Sequence, residues 1–399
     1  MLTKQFLRVI PLLEKIEEHN HEAYFVGGCV RDLILQRPIK DIDITTSATP
    51  SEIQQIFPNV IPVGIEHGTV IVRFEKESYE VTTFRTEGDY SDGRHPDHVE
   101  FIRNIEQDLE RRDFTMNALA MDKEGNIIDL FGGKNDLENR LIRTVGNGRE
   151  RFNEDALRII RALRFSSQLG FQIEERTYDA MVASKQAILD ISIERITKEM
   201  ELFFAGDSIK NGINYLVKTK ISDVLPIFKD HPGLINELPE EMKPLHTFAE
   251  VIAYFQFRFP EISIQQWVKA WKCSNHTKRM ADMLCSDIKR YEANGLDEMT
   301  IYRLNEEGMK SFIRLVDLIF NVQISLTELH HAKEKLPIQS RSELKINGNH
   351  LLSFFPDRKR GSWIKQTLDK IEEAVVTGKV HNQYDEIKEW LKWNPIETN

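Results

Sequence analysis

Asp41 and Asp43 stand two apart in the run Lys40-Asp41-Ile42-Asp43-Ile44. On a β-strand, residues two apart share a face, so both carboxylates project together while Ile42 and Ile44 enter the core. Carboxylates held side by side repel unless cations lie between them. Their acceptor-only oxygens suit hard Mg²⁺. Two such ions roughly 3.5–4 Å apart activate an attacking hydroxyl and steady a leaving phosphate. A lone D-x-D is more often the polar outer edge of a strand, so the neighbouring segments decide between the readings.

The first neighbour is Val26-Gly27-Gly28-Cys29-Val30-Arg31-Asp32, where a strand runs into two glycines and a helix starting near Cys29. Glycines let backbone N–H groups approach an anion, and a helix N-terminus favours phosphate. Gly-Gly before a helix is more often only a tight turn; where it does meet phosphate, Arg31 can add its guanidinium fork. No GxxxxGK[ST] run occurs, which excludes a P-loop. A glycine turn followed by D-x-D on the next strand sets anion donors beside metal carboxylates. Glu80, on the expected strand after it, is the candidate for a third acid.

Two arginine-rich segments follow. In Arg111-Arg112-Asp113-Phe114-Thr115-Met116-Asn117-Ala118, Asp113 is positioned to accept from a ribose 2′-OH and Arg112 to meet phosphate or ribose. A helix C-terminus whose arginines complement the dipole accounts for the same residues equally well. In Arg151–Arg164, one helix over Asn153–Leu169 is expected, capped by Asn153 and ended by Gly170. Asp155 and Arg158 are then surface neighbours. Asp offers acceptors and Arg donors. Cytosine and adenine each present an amino donor beside a ring acceptor, whereas uracil and guanine invert that order. Read as a base sensor rather than as an ordinary surface ion pair, an Asp–Arg pair accepts C and A without a template, each good match discriminating by about 1–3 kcal/mol. Arg161 and Arg164 continue in three-residue steps, which turn Arg164 to the side of the helix opposite Asp155.

These residues need a mixed scaffold. Strands are expected at Ala23–Val26, Asp41–Thr45, Thr69–Phe74, Ser78–Phe84 and Ile127–Leu130. From about residue 148 the apolar spacing turns helical and strand signals vanish. Ser192 should cap a helix with Glu194 in its first turn and Gly206 at its end. Pro226, Pro232, Pro239 and Pro244 mark a link between helical parts. The first residues form an amphipathic helix rather than an export signal, because Glu14, Glu17 and Glu18 come too early.

The chain has 399 residues, 41% of them hydrophobic, enough for two or more domains. No apolar run approaches the roughly 18 residues of a membrane span. Three scattered cysteines argue against a disulfide framework or zinc site and fit a reducing cytoplasm. A net charge of −10 would argue against a nucleic-acid partner. The arginines are clustered, however, and one basic face suffices for RNA.

Taken together, the motifs resemble those of the class II CCA-adding enzymes, tRNA nucleotidyltransferases of the polymerase beta superfamily, in their compact Bacillus-like branch. The resemblance runs through Gly27-Gly28-x-Val30-Arg31-Asp32, Asp41-x-Asp43 and Arg111-Arg112-Asp113-Phe114-Thr115-x-Asn117-Ala118. It continues through Asp129-Leu130-Phe131-Gly132-Gly133-x-x-Asp136-Leu137, Glu154-Asp155-x-x-Arg158-x-x-Arg161 and Ser192-x-Glu194-Arg195-Ile196, spanning roughly the first 205 residues. Ile346-Asn347-Gly348-Asn349-His350-Leu351 is similar to a tail pattern that has Asp at the His350 position.

The resemblance implies an α+β head of mixed sheet and helices (1–147), a helical neck (148–206), body (207–300) and tail (301–399), in a seahorse-like shape. It implies Mg²⁺ on Asp41 and Asp43, nucleotide contacts from Gly28, Arg31, Arg112, Asp113, Asp155, Arg158, Arg161 and Arg164, and a hinge at Asp129–Leu137. The partners it implies are the tRNA 3′ acceptor end and the substrates CTP and ATP, with no membrane contact and a homodimer as the assembly to consider. Arg358-Lys359-Arg360 beside Trp363 is the tail segment expected to touch tRNA.

Two related activities share these motifs. A bacterial poly(A) polymerase shares head and neck, but often carries basic terminal extensions. A partial A-adding enzyme overlaps fully, whereas a CC-adding one has a shorter loop than Arg85–His98, a polar, glycine-bearing run suited to specificity. A non-catalytic RNA-binding protein is the rival from another class, and it would not need D-x-D.

Overall fold

The computed structural model describes residues 2–88 and 99–394. The chain divides into two units, Met1–Pro244 with Ala270–Lys272, and Leu245–Lys269 with Cys273–Asn399. The division falls at Pro244, the last of the clustered prolines.

In the first unit, α1 (Lys4–Glu17) buries Phe6, Val9, Leu12, Leu13 and Ile16, the three- and four-residue spacing of one helical face. Phe6 meets Phe25 of β1 (Ala23–Val26) edge-on at 4.8 Å. Then come α2 (Gly28–Ile34), β2 (Asp43–Thr46), α3 (Pro50–Ile56), β3 (Val60–Gly64), β4 (Thr69–Phe74) and β5 (Glu77–Thr83). A small ribbon pairs β6 (Arg85–Glu87) with β7 (Val99–Phe101). After it follow α4 (Ile105–Glu110), β8 (Leu119–Met121), β9 (Ile127–Asp129) and α5 (Gly133–Glu138). Most of the expected specificity loop, residues 89–98, lies outside the described residues.

Seven strands form one sheet in the order β3-β4-β5-β2-β1-β8-β9. β2 and β5 run parallel, with Asp43 opposite Glu80, and the remaining pairs are antiparallel. β2 starts at Asp43 rather than Asp41, so Asp41 precedes the strand. Ile44 is buried as expected, but Ile42 is only partly covered.

Two glycines in this unit answer to definite demands. Gly27 has φ +71° and ψ −126°, a conformation closed to residues with a Cβ. A Cβ on Gly133 would lie 2.2 Å from the Thr115 carbonyl oxygen. Asp129 accepts from the Gly133 and Lys134 N–H groups at 2.7 and 2.9 Å, fixing the start of α5.

The helical part of this unit corrects the expected continuous helix. α6 (Gly148–Glu154) and α7 (Leu157–Leu169) are separate, because Asp155 adopts extended backbone at φ −143° and ψ 102°. Asn147, not Asn153, caps α6. Gly170 ends α7 in the left-handed conformation, as expected. Strand structure also persists beyond residue 148, since β10 (Leu141–Ile142) pairs in parallel with β11 (Gln172–Ile173). Next come α8 (Glu175–Ser184), α9 (Ile193–Phe204) and α10 (Ile209–Thr219). Ser192 stands at the N-cap of α9, yet its side chain makes no capping bond.

The second unit is helical among its described residues. Phe248–Arg258 buries nearly its whole circumference and packs on Asn275–Asn294. Ile371, Val375, Ile387 and Leu391 centre the core formed by its last helices. His350 takes the third position of a capping box: Asn347 caps Gly348–Phe354, and His350 Nδ1 accepts from the Asn347 N–H at 3.2 Å. A ring nitrogen thus does here what a carboxylate would do. No helix among the described residues is long and apolar enough to cross a membrane.

Candidate active site

Asp41, Asp43 and Glu80 line one cavity of about 450 Å³, with Lys40 and Arg8 on its wall. Burial pushes the Asp43 carboxyl up, Arg112 opposes, and the charge of Asp41 pushes it further up. Burial also raises Glu80, and the charge of Asp43 adds to it. The two aspartates therefore face one another electrostatically although only Asp43 is on the strand. Such a pair, destabilised by its own charges, fits a hard divalent cation. Glu80 stands opposite Asp43 in the sheet and feels the charges of both aspartates, although among the described residues no three His, Cys, Asp or Glu side chains are grouped closely enough to hold a metal. Two protein carboxylates are the number that leaves a cation positions for substrate phosphate oxygens.

The glycine turn adjoins this pair through Arg112, whose Nη1 lies 3.2 Å from the place a Cβ on Gly27 would occupy. Arg112 and Arg111 both bind Asp108, a fully buried carboxylate of α4, at 3.2 and 2.7 Å. Although burial works against it, these two charges hold Asp108 below the usual carboxylate range. The arginines thus serve the acid next to them rather than simply the helix dipole. The same Asp108 accepts from the Arg85 N–H at the root of the β6–β7 ribbon.

A second arginine group surrounds the Phe165 ring, with the guanidinium carbons of Arg31, Arg161 and Arg164 at 5.1, 5.5 and 4.0 Å. Arg161 binds Asp113 at 2.6 Å and lies 3.6 Å from Glu199; Arg164 approaches Glu199 to 2.6 Å. Glu199 on α9 and the Phe165 ring gather Arg161 and Arg164 together. Burial and the charge of Arg161 push Arg164 down to about 10, with Glu199 opposing. Burial pushes Asp113 upward, but Arg161, Asn117 and Arg158 outweigh it and hold its carboxyl at about 2.

The expected Asp155–Arg158 pair is not made. The helix break sends the two side chains to different partners. Asp155 Oδ2 accepts from Arg195 at 2.6 Å, and its Oδ1 accepts from the Leu157 N–H at 3.0 Å. Arg158 is buried, binds Glu154, and donates to the carbonyls of Arg151 and Arg111 at 3.1 and 3.0 Å.

The structure therefore gathers Gly28, Arg31, Arg112 and Asp113 with Arg161 and Arg164, and keeps Asp41 with Asp43. Asp108 was legible in the i, i+3 and i, i+4 spacing to Arg111 and Arg112. Glu199 was not, being far along the chain from the arginines it binds.

A mixed sheet carrying paired aspartates beside a glycine turn and an arginine-lined helix defines a nucleotidyltransferase. Residues 23–143 match the model of the Poly A polymerase head domain, 170–231 that of a "Probable RNA and SrmB- binding site of polymerase A", and 244–391 that of tRNA nucleotidyltransferase domain 2. The CCA-adding enzyme of Oceanobacillus iheyensis is 46% identical over 100% of both chains, and that of Anoxybacillus flavithermus 42% over 100% of both. The Bacillus stearothermophilus CCA-adding enzyme, solved with CTP, superposes with a TM-score of 0.85 at 35% identity, covering 98% of each chain. The chain belongs to the family of CCA-adding enzymes, and its activity is CCA addition to tRNA. Membership brings dependence on a divalent metal.

Proposed function

We propose that the protein completes tRNA 3′ ends in the cytoplasm with CTP and ATP, using Mg²⁺ held by Asp41 and Asp43. The observation that carries this is the junction at Arg112, which faces Gly27 on one side and acts on the charge of Asp43 on the other. It sets an anion site and an acidic pair within reach of one substrate. Bound at the pair, Mg²⁺ would supply Lewis-acid stabilisation of phosphoryl oxygens and an activated attacking hydroxyl.

The chain's own residues do the rest. In the head (1–147), Gly28 and Arg31 hold the triphosphate, and Arg112 and Asp113 hold ribose and phosphate. In the neck (148–206), Asp155 and Arg158 read the base edge, and Arg161 and Arg164 supply charge beside it. The body (207–300) and tail (301–399) carry the tRNA, with Arg358, Lys359 and Arg360 on the RNA side. Glu154 must release Arg158 when a nucleotide arrives, whereas Arg195 goes on holding Asp155.

The test uses a tRNA lacking its last three nucleotides, with Mg²⁺ and with CTP and ATP supplied separately and together. Growth by two with CTP, and by three with both, is expected. Asp43→Asn and Asp41→Asn should each cut the rate by at least about 10³-fold, the scale of lost electrostatic stabilisation. Long A tails would assign a poly(A) polymerase instead. Growth by ATP only on tRNA already ending in CC would assign an A-adding enzyme. Full activity in Asp43→Asn would end the metal-site reading.

A further inference from the structure

Asn117 joins two side chains that come from distant parts of the first unit. Its Oδ1 accepts from Arg31 Nη1 at 2.7 Å, and its Nδ2 donates to Asp113 Oδ1 at 3.1 Å. Its partners fix the amide's orientation, because a guanidinium offers only donors and a carboxylate only acceptors. Flipped, the amide would set donor against donor and acceptor against acceptor. The residue is 6% exposed, which leaves water little access to either bond. Asn117 ends the tight turn Thr115–Asn117. Its backbone carbonyl also lies 3.8 Å from the Cβ position of Gly27, beside the anion turn.

Asp113 shows what this bond controls. Its Oδ1 accepts from the Phe114 N–H at 2.8 Å and from Asn117; its Oδ2 accepts from Arg161 Nε at 2.7 Å, with Arg161 Nη2 2.6 Å away as an ion-pair contact. Three hydrogen bonds and this ion pair occupy the carboxylate. The Asn117 bond is the longest of the three, and the only one made by a neutral side chain. Arg31, for its part, has Asp32 as its other acceptor, at 2.9 Å on its own helix. Without Asn117, only Asp32 and the Phe165 ring would set the direction of Arg31.

We propose that Asn117 is a positioning residue for nucleotide binding, tying Arg31 to Asp113 and, through Asp113, to Arg161. The three side chains then meet the nucleotide as one preset unit, Arg31 at the triphosphate, Asp113 at the ribose and Arg161 beside the base. This rests on the reading of Arg31 and Asp113 as nucleotide-facing groups. None of the three reads the base in that assignment. Loss of Asn117 should therefore weaken CTP and ATP equally and leave the choice of C and A over U and G unchanged.

The experiment measures steady-state KM and kcat for CTP and ATP in Asn117→Ala, Arg31→Ala and the double variant. N117A should raise KM about ten-fold for both nucleotides, the scale of one bond to a charged group, with a smaller change in kcat. If Asn117 acts through Arg31, the double variant should show no higher KM than R31A. Asn117→Ser, which leaves a smaller gap and a hydroxyl too short to span both partners, guards against a folding failure and should show the same non-additivity. Additive effects, or a KM change confined to one nucleotide, would overturn the proposal. An effective R31A beside silent N117A and N117S would also overturn it, leaving the site reading intact. A silent R31A would instead sink the reading of Arg31 on which the inference rests.

Discussion

Arg195 Nη2 lies 2.6 Å from Asp155 Oδ2, so α9 anchors the carboxylate assigned to read the base. The bond spans two helices and leaves the Asp155 backbone free to be extended. On the proposed reading of Asp155, base selection would depend on a residue that need not touch the nucleotide.

Arg195→Ala should therefore relax selection more than it reduces binding. The freed carboxylate keeps its bond from the Leu157 N–H but loses its charged partner. The ratio of CTP to UTP incorporation should drop by about ten-fold, the value of one good bidentate match. Competition assays with labelled CTP and UTP report this ratio directly. An unchanged ratio would remove Arg195 from the selection mechanism.

Gly133→Ala sets two effects against each other. Helix propensity favours Ala over Gly by about 1 kcal/mol. The new Cβ, however, would sit 2.2 Å from the Thr115 carbonyl oxygen and 2.9 Å from its carbon, both backbone atoms that cannot swing away. Overpacking of this kind costs about 1–3 kcal/mol, so it outweighs propensity. The melting temperature should fall. A rise would show that the turn at Thr115 yields without cost.

Much of this site was legible in the sequence, and the misses have physical causes. Asp41 and Asp43 could be paired from their spacing because a strand has a fixed period, even though only Asp43 proved to lie on it. Gly27 could be assigned to a turn because few residues tolerate its φ of +71°. Asp155 and Arg158 were misplaced because the apolar spacing of Ala156, Ile159, Ile160 and Leu163 runs smoothly through a break. At the break Asp155 is extended, and its carboxylate accepts from the Leu157 N–H and from a distant arginine, which local spacing does not reveal. Glu199 left no signal, since only folding brings α9 against Arg161 and Arg164.

Asp113 gives a stability signature at low pH. Its carboxyl is held at about 2, below the ordinary aspartate range, so the unfolded chain binds its proton more readily than the folded one. Stability from this group is complete above pH 4 and is lost as pH falls through 2, an effect of about 2 kcal/mol. Asp113→Asn should melt lower than the parent at pH 7, and the difference should shrink as pH falls from 4 towards 2. A difference independent of pH would mean that packing, not charge, carries the role of Asp113.

Glu199→Gln removes one of the acids that balance Arg31, Arg161 and Arg164 around Phe165. Two outcomes should appear together. The protein should melt lower, because buried like charges lose their partner. Pyrophosphate should then raise the melting temperature of the variant more than that of the parent, because the pocket has gained net positive charge. Thermal melts with and without pyrophosphate measure both. Equal shifts in the two proteins would place Glu199 outside the anion-binding surroundings.

Asp287, in the second unit, titrates in the opposite sense. Both its oxygens are buried without a hydrogen-bond partner, and Arg303 approaches only to 3.4 Å. Burial pushes its carboxyl up to about 6, against the pull of Arg303 and Arg290. The folded chain thus holds this proton more tightly than the unfolded one, and stability falls as pH rises from about 4 through 6. Asp287→Asn has no proton to lose, so its stability should stay level across that window. It should exceed the parent above pH 7, by about 1–2 kcal/mol once relaxation and the lost Arg303 attraction are allowed for. Chemical denaturation at pH 5 and pH 8 measures the crossover. A variant that is weaker at both would show that the Arg303 attraction, despite its length, outweighs the cost of the buried charge.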